Sequence, residues 1–313
     1  MEIETTISQN IRVAGSNADY DAACKRLLSE KIILAWIMKY CLEEYQDCSI
    51  SEIVEKYIEG EPQVAQVPVA PDETNSVEGS MIKGVQTEDK TVTEGTVTYD
   101  IRFFATAPKS GELIRLIINV EAQNDFYPGY PLIKRGINYC SRMISSQYGI
   151  EFSSSHYEKI KKVYSIWICM NPPKYRENTI TEYSITEKQL VGHVEEKVEN
   201  YDLISTVIIC LGKPESKNYE GVLKLLEVLL SSDRQLEEKK QILHNDFNIE
   251  MTKKLEREVS LMCNLSQGVV DRTLLEAISN LMDTMKLSVE QAMTALKIPE
   301  AEQLKYASML KKK

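Results

Sequence analysis

Apolar residues recur along the chain with two different periods, and the switches between them mark its elements. Leu27, Ile33 and Leu34, Ile37 and Met38, then Cys41 and Leu42 fall at helical spacing, so residues 18–44 are predicted as one helix with Asp19 or Asp21 as its cap. A second short helix is expected over 51–58 behind Ser49 or Ser51. Residues 60–75 carry three prolines and no period and read as a loop. Residues 80–86 read as a strand and 87–90 as a turn. The segments 96–105 and 113–123 are rich in Val, Ile, Thr, Tyr and Phe, and Pro108-Lys-Ser-Gly111 lies between them, which predicts an antiparallel hairpin.

Helical period returns over 131–147, with Ile133, Ile137, Cys140 and Ile144 on one stripe. The run 162–170, closed by Pro172-Pro173, fits a buried strand, and 179–185 and 203–211 read as further strands. From Tyr219 onward the chain is helical and highly charged, with segments near 219–230, 234–244, 247–262, 270–285, 288–297 and 300–311 and a capping box at Ser288-x-x-Gln291. The order predicts an α/β fold, a mixed sheet flanked by helices with a C-terminal helical extension. The boundary is expected at 1–215 for the sheet domain and 216–313 for the helical region.

Bulk properties narrow the classes. A chain of 313 residues is long enough for a sizeable core. No apolar run reaches the length of about 20 residues that spans a bilayer, and the first 17 residues are polar, so a cytoplasmic protein without a membrane partner is expected. Seven scattered cysteines without a C-x-x-C pair, and three histidines (156, 193 and 244) far apart, argue for reduced buried thiols rather than zinc or disulfides. A net charge of −10 disfavours coating nucleic acid non-specifically but leaves room for a local phosphate site. The sequence has no P-loop or Rossmann glycine pattern, so no nucleotide cofactor is expected, and it has no nucleophile elbow.

Asp100 stands inside an otherwise strand-like run, where aspartate is depleted. Glu121 and Gln123 share one face of the next strand. If those strands pair, Asp100 and Glu121 lie close enough to share an ion, and with the Ala122 backbone carbonyl and waters they suit Mg²⁺ or, in its place, Mn²⁺. Outward-facing sheet residues give the same spacing by chance. The following helix adds Lys134, Arg135, Asn138, Arg142 and Ser145/Ser146 as a polar, basic face suited to phosphate. Tyr127, Tyr130 and Tyr139 could stack on bases, although aromatics also simply pack. Glu112 and Asp125 read as loop residues, and Lys311-Lys-Lys313 as a solvated end.

The stretch EGTVTYDIRFFA…LIRLIINVEAQNDFYPGYPLIKRGINYCSRMISSQ resembles the bacterial PD-(D/E)XK nuclease-family transposases, also called the recombination-promoting nuclease/transposase family, and the resemblance runs from KRLLSEKIILAWIMK to LSVEQAMTALKIPEAEQLKYASML. The resemblance implies a restriction-endonuclease-like fold and Mg²⁺-dependent hydrolysis of DNA phosphodiester bonds that leaves a 5′-phosphate, in recombination or in defence against mobile elements and phage. Asp100 and Glu121 would bind the metal. Gln123 would stand where the superfamily commonly has lysine, and Glu30 where an accessory first-helix carboxylate lies. Glutamine carries no charge and accepts no proton at neutral pH, so it can only orient water or phosphate. Two other readings stay open: a catalytically weakened nuclease-fold protein that binds nucleic acid or regulates, and a toxin-like nuclease restrained by a partner. The helical tail suits packing on the sheet or self-association as a homodimer, because Glu and Lys interleave there without a basic stripe.

Overall fold

A computed structural model describes residues 19–64, 88–91, 95–98, 100–109, 112–214, 217–231 and 234–310. The two most continuously apolar runs, β6 (Val163–Asn171) and β8 (Ile204–Cys210), are inner strands of a six-stranded mixed sheet. With β1 (Ile58–Val64), β4 (Ile101–Lys109), β5 (Glu112–Asp125) and β7 (Thr179–Ser184), the order is β1-β4-β5-β6-β8-β7. β5, β6 and β8 run parallel, and the outer pairings are antiparallel. The predicted hairpin is present as β4 and β5, with Ile101 opposite Val120 and Lys109 opposite Glu112.

Alternation along the strands sends side chains to two different cores. On one face Ile118, Val120, Ile166 and Ile168 join the main cluster with Leu27 and Leu28, and with Ile33, Leu34, Ile37 and Met38 of α2 (Lys31–Cys41). On the other face Ile117, Trp167, Cys169 and Ile208 pack under α4 (Leu132–Ser145). α4 lies very close to the sheet at Gly136, where a Cβ would stand 2.3 Å from Thr206 Cγ2 and 3.0 Å from Trp167 Nε1. Glycine is therefore the residue that lets this helix sit down.

Several expectations are corrected. The helix expected over 18–44 is two, α1 (19–28) and α2, because Glu30 is extended at φ −63°, ψ 126°. Leu27, Leu28, Ile33 and Leu34 are all buried on both sides of the break, so the apolar spacing alone does not mark it. The short helix is α3 (Ile50–Glu52), capped by Ser49, followed by a π turn over Ile53–Tyr57. Residues 60–64 belong to β1, where an edge strand accommodates Pro62 and a register shift falls beside Gly60 at φ 60°. The expected turn 87–90 instead contributes to β2 (Glu88–Thr91), paired with β3 (Gly95–Thr98). Glu112 and Asp125 end a strand rather than lie in loops. The strand expected at 80–86 and the basic end at 311–313 lie outside the described residues.

The hydrophobic core does not divide at residue 215. Val222, Leu225 and Leu229 of α5 (Gly221–Leu230), Leu243 of α6 (Leu236–Phe247) and Val259 and Met262 of α7 (Lys253–Met285) all belong to the main cluster. α7 is one helix of 33 residues where two were expected. Its far end forms a separate small cluster, Ile278 with Met293 of α8 (Val289–Ala295) and Tyr306 of α9 (Glu300–Leu310). Ser288 makes the expected capping box with Gln291. All seven cysteines are free thiols and six are buried. Among the described residues no helix is long and apolar enough to cross a membrane.

Candidate active site

The strand predicted over 96–105 breaks at Asp100, a bend between β3 and β4. That break frees the Asp100 N–H, which donates to Glu121 Oε1 at 2.9 Å. In return the Ala122 N–H donates to Asp100 Oδ2 at 3.2 Å. The two acids are therefore locked together by reciprocal backbone bonds at the head of β4 and near the carboxyl end of β5. Both are buried, at 8% and 4% exposure.

α1 supplies the countercharge. Lys25 Nζ lies 2.8 Å from Asp100 Oδ1 and 2.6 Å from Asp21 Oδ2, one helical turn back, and its side chain is 3% exposed. Burial opposes its charge, but the two carboxylates outweigh burial and hold its pKa above the ordinary lysine value. Lys25 is therefore a fixed cation and not a base. Burial pushes the Asp100 carboxyl up, with Lys25 pulling the other way. Burial, with the Asp100 charge next, pushes Glu121 well above the ordinary carboxylate value.

Glu121 is in register with Trp167 and faces the α4 side of the sheet, where the Arg135 guanidinium helps to favour its charged form. Arg135 is half-buried and held in place: Nε and Nη2 donate to Tyr139 Oη at 3.2 and 2.9 Å, Nη1 donates to Tyr130 Oη, and the guanidinium lies 5.3 Å from the Trp167 ring. Gln123, on the same face as Glu121, is half-buried, and its side chain makes no hydrogen bond among the described residues. An amide there can both donate to and accept from a ligand or water.

The structure therefore brings Asp100, Glu121 and Ala122 into direct contact and sets Arg135 and Gln123 on their flank. Other expected residues lie elsewhere. Glu30 pairs with Lys254 at 2.7 Å and lines a separate cavity with Lys31 and Asn248. The acid that α1 directs toward Asp100, through Lys25, is Asp21. Arg142 is 6% exposed, turned inward, and is not a surface phosphate contact. Lys134 is exposed. The expected basic face of α4 is thus discontinuous, because the stripe it shares with Arg142 is the one that buries. Tyr139 packs on Trp167 at 5.2 Å and presents no free ring.

Sequence reasoning missed Lys25 and Asp21. The signal was present: an i, i+4 acid–lysine pair set among Ala23, Cys24, Leu27 and Leu28, where a solvent-facing pair is not expected.

The donor set is compatible with a hard divalent cation. Two adjoining buried carboxyls whose pKa values burial raises are a site where a cation would be stabilising. No group of three or more His, Cys, Asp or Glu side chains gathers among the described residues, so the remaining ligands would be water and backbone oxygen. No family model, curated protein or solved structure matches the chain.

Proposed function

We propose that the protein is a restriction-endonuclease-like nuclease that hydrolyses DNA phosphodiester bonds with Mg²⁺ or Mn²⁺. The observation that carries this reading is the reciprocal bonding of Asp100 and Glu121 across β4 and β5, at the carboxyl end of a parallel strand pair. Crevices outside strand carboxyl ends are where open α/β sheets bind ligands. Asp100 and Glu121 would hold the ion, with the Ala122 carbonyl as a third oxygen. When bound, the ion supplies a more acidic water and charge neutralisation at the phosphoryl group.

The chain's own groups divide the remaining work. Lys25 orients Asp100 and favours its ionised form against the burial that raises its pKa. Gln123 holds the attacking water or a phosphate oxygen by hydrogen bonds, because an amide cannot take the proton. Arg135 is oriented by Tyr130 and Tyr139 and adds positive charge near Glu121, on the side where a phosphate would lie. Incubating plasmid DNA with the protein, with and without Mg²⁺, tests the reading. Metal-dependent nicking that Asp100→Asn and Glu121→Gln abolish is expected.

The second reading, a nucleic-acid-binding module with weakened catalysis, is favoured by one contact. Lys25 already sits on Asp100 Oδ1, and an ammonium there could stand in for the ion. DNA binding without metal-dependent cleavage would select it.

A further inference from the structure

Three residues beyond Gln123 the chain leaves the site and turns through Phe126–Pro131 into α4. Phe126 and Leu132 anchor this loop in the core at 9% and 1% exposure, whereas Tyr127 projects at 64%. Opposite stand Tyr175 and Arg176, which precede β7, and Tyr183 on it. Between the two walls lies a cavity of about 430 Å³ lined by Tyr127, Tyr130, Arg176 and Tyr183 over Phe126 and Ile208. The Tyr127 and Tyr175 hydroxyls meet at 2.7 Å across its rim.

Arg176 alone among the lining residues carries charge. Its guanidinium lies 4.8 Å from the Phe126 ring and 5.6 Å from the Tyr175 ring. Its Nε is buried and has no hydrogen-bond partner. A buried donor is normally satisfied. The guanidinium also hydrogen-bonds Tyr175 and Tyr183, so the cavity offers aromatic walls and a single, held positive charge. That combination suits a planar ring that carries acceptors and is attached to an anion. Tyr130 also ties the cavity to the acid site, because Arg135, which favours the charged form of Glu121, donates to its hydroxyl.

We propose that this cavity takes an unpaired nucleobase of the substrate strand, stacked on Tyr127 and Tyr183 and contacted by Arg176, so that the enzyme selects single-stranded or flipped-out nucleotides. The proposal rests on the phosphodiesterase reading for its ligand class. Stacking is sequence-tolerant and is the usual means of holding unpaired bases. A base in the cavity directs the adjoining phosphate toward Arg135 and Gln123. The preference for unpaired DNA follows from access, because a base inside a duplex is covered on both faces by its neighbours and cannot stack on the tyrosines of the cavity.

The test uses the full chain as Asp100→Asn, in EDTA, with twelve-nucleotide oligomers carrying one 2-aminopurine. Single strands should bind with clear quenching of the probe, and the matched duplex should bind more weakly without quenching. Tyr127→Ala and Arg176→Gln should each weaken single-strand binding about tenfold, and Tyr127→Phe should restore it. Tyr127 is exposed, so its loss does not endanger the fold. Unchanged affinity in Tyr127→Ala and Arg176→Gln overturns the proposal, as does equal binding of duplex. Displacement of the oligomer by an aromatic peptide but not by a mononucleotide would assign the cavity to protein recognition instead. Cleavage by the wild-type chain with Mg²⁺, indifferent to the cavity variants, defeats the cavity and leaves the nuclease. Cavity-dependent binding with no cleavage supports the cavity and defeats the hydrolase.

Discussion

The backbone N–H of Asp100 bonds the side chain of Glu121 at 2.9 Å, and the peptide following Glu121 bonds the side chain of Asp100 at 3.2 Å. Each acid is positioned by the other's strand. Backbone pairing and these two bonds together hold the carboxyl groups in place. This is the rigidity that a two-carboxylate ion site needs.

That rigidity has a cost in stability that Glu121→Gln exposes. The amide oxygen can still accept from Asp100, while the buried charge is removed. A carboxyl whose pKa is higher in the folded than in the unfolded chain favours folding while protonated. That contribution is full below the ordinary value of 4.5 and is lost as pH rises through the folded value. Glu121→Gln should therefore melt above wild type at pH 8, by about 2–4 °C for each kcal/mol relieved, with the gap closing toward pH 5. Thermal melts across this range check it. A gap that widens on acidification would contradict the buried-charge account.

Divalent cation should relieve the same buried-charge cost in the wild-type chain. A ligand that binds only the folded state at about a hundred times its dissociation constant stabilises by about 2.7 kcal/mol. Mg²⁺ or Mn²⁺ should raise the melting temperature of wild type and not of Asp100→Asn or Glu121→Gln. Calcium is a useful control, since it also takes hard oxygen ligands.

Lys25 is expected to matter for stability and for the pH profile together. Lys25→Met leaves Asp100 and Asp21 without their shared cation, and removing one partner of a buried ion pair costs about 3–5 kcal/mol. Without Lys25 the Asp100 carboxyl is pushed higher still, so the acidic limb of the cleavage rate should move to higher pH. Pairing Lys25→Met with Asp100→Asn should recover much of the stability, measured by urea unfolding. A double variant as unstable as the two single changes summed would place the role of Lys25 elsewhere.

Much of this arrangement was legible in the sequence, for identifiable reasons. The β4–β5 hairpin followed from two β-branched runs around Pro108-Lys-Ser-Gly111, and α4 from a stripe ending in Cys140 and Ile144. Asp100 and Glu121 stood out because acids are out of place in such strands. What periodicity could not show was whether a polar residue on a helix meets solvent or an opposing charge. Asp21 reads from the sequence only as a candidate helix cap and Lys25 not at all, and Glu30 draws attention through family resemblance, whereas it pairs with Lys254 beside the break between α1 and α2. Arg142 illustrates the reverse case, a basic residue within a polar stripe that tertiary packing buries at 6% exposure. β1 was concealed by Pro62, which only an edge position tolerates.

Gln123 separates positioning from charge, and its variants give the most direct reading of the proposed chemistry. It is half-buried, shares a face with Glu121 and makes no side-chain hydrogen bond among the described residues, so replacing it should not unfold the chain. Gln123→Ala removes one orienting hydrogen bond. A cleavage loss of about ten- to a hundredfold follows, corresponding to roughly 1.4–2.7 kcal/mol of transition-state stabilisation, with Mg²⁺ affinity unchanged. Asp100→Ala, by contrast, removes a metal ligand and should abolish both. Gln123→Lys places a second ammonium on the α4 side of the pair, where Arg135 already favours the charged form of Glu121. The added charge should draw the Glu121 carboxyl down toward its ordinary value and hold cleavage at or above wild type, most visibly at lower pH. Single-turnover rates at saturating metal, measured for the three variants between pH 6 and 9, test this ordering. Activity lost in Gln123→Lys but retained in Asp100→Ala would place the reacting centre elsewhere on the chain.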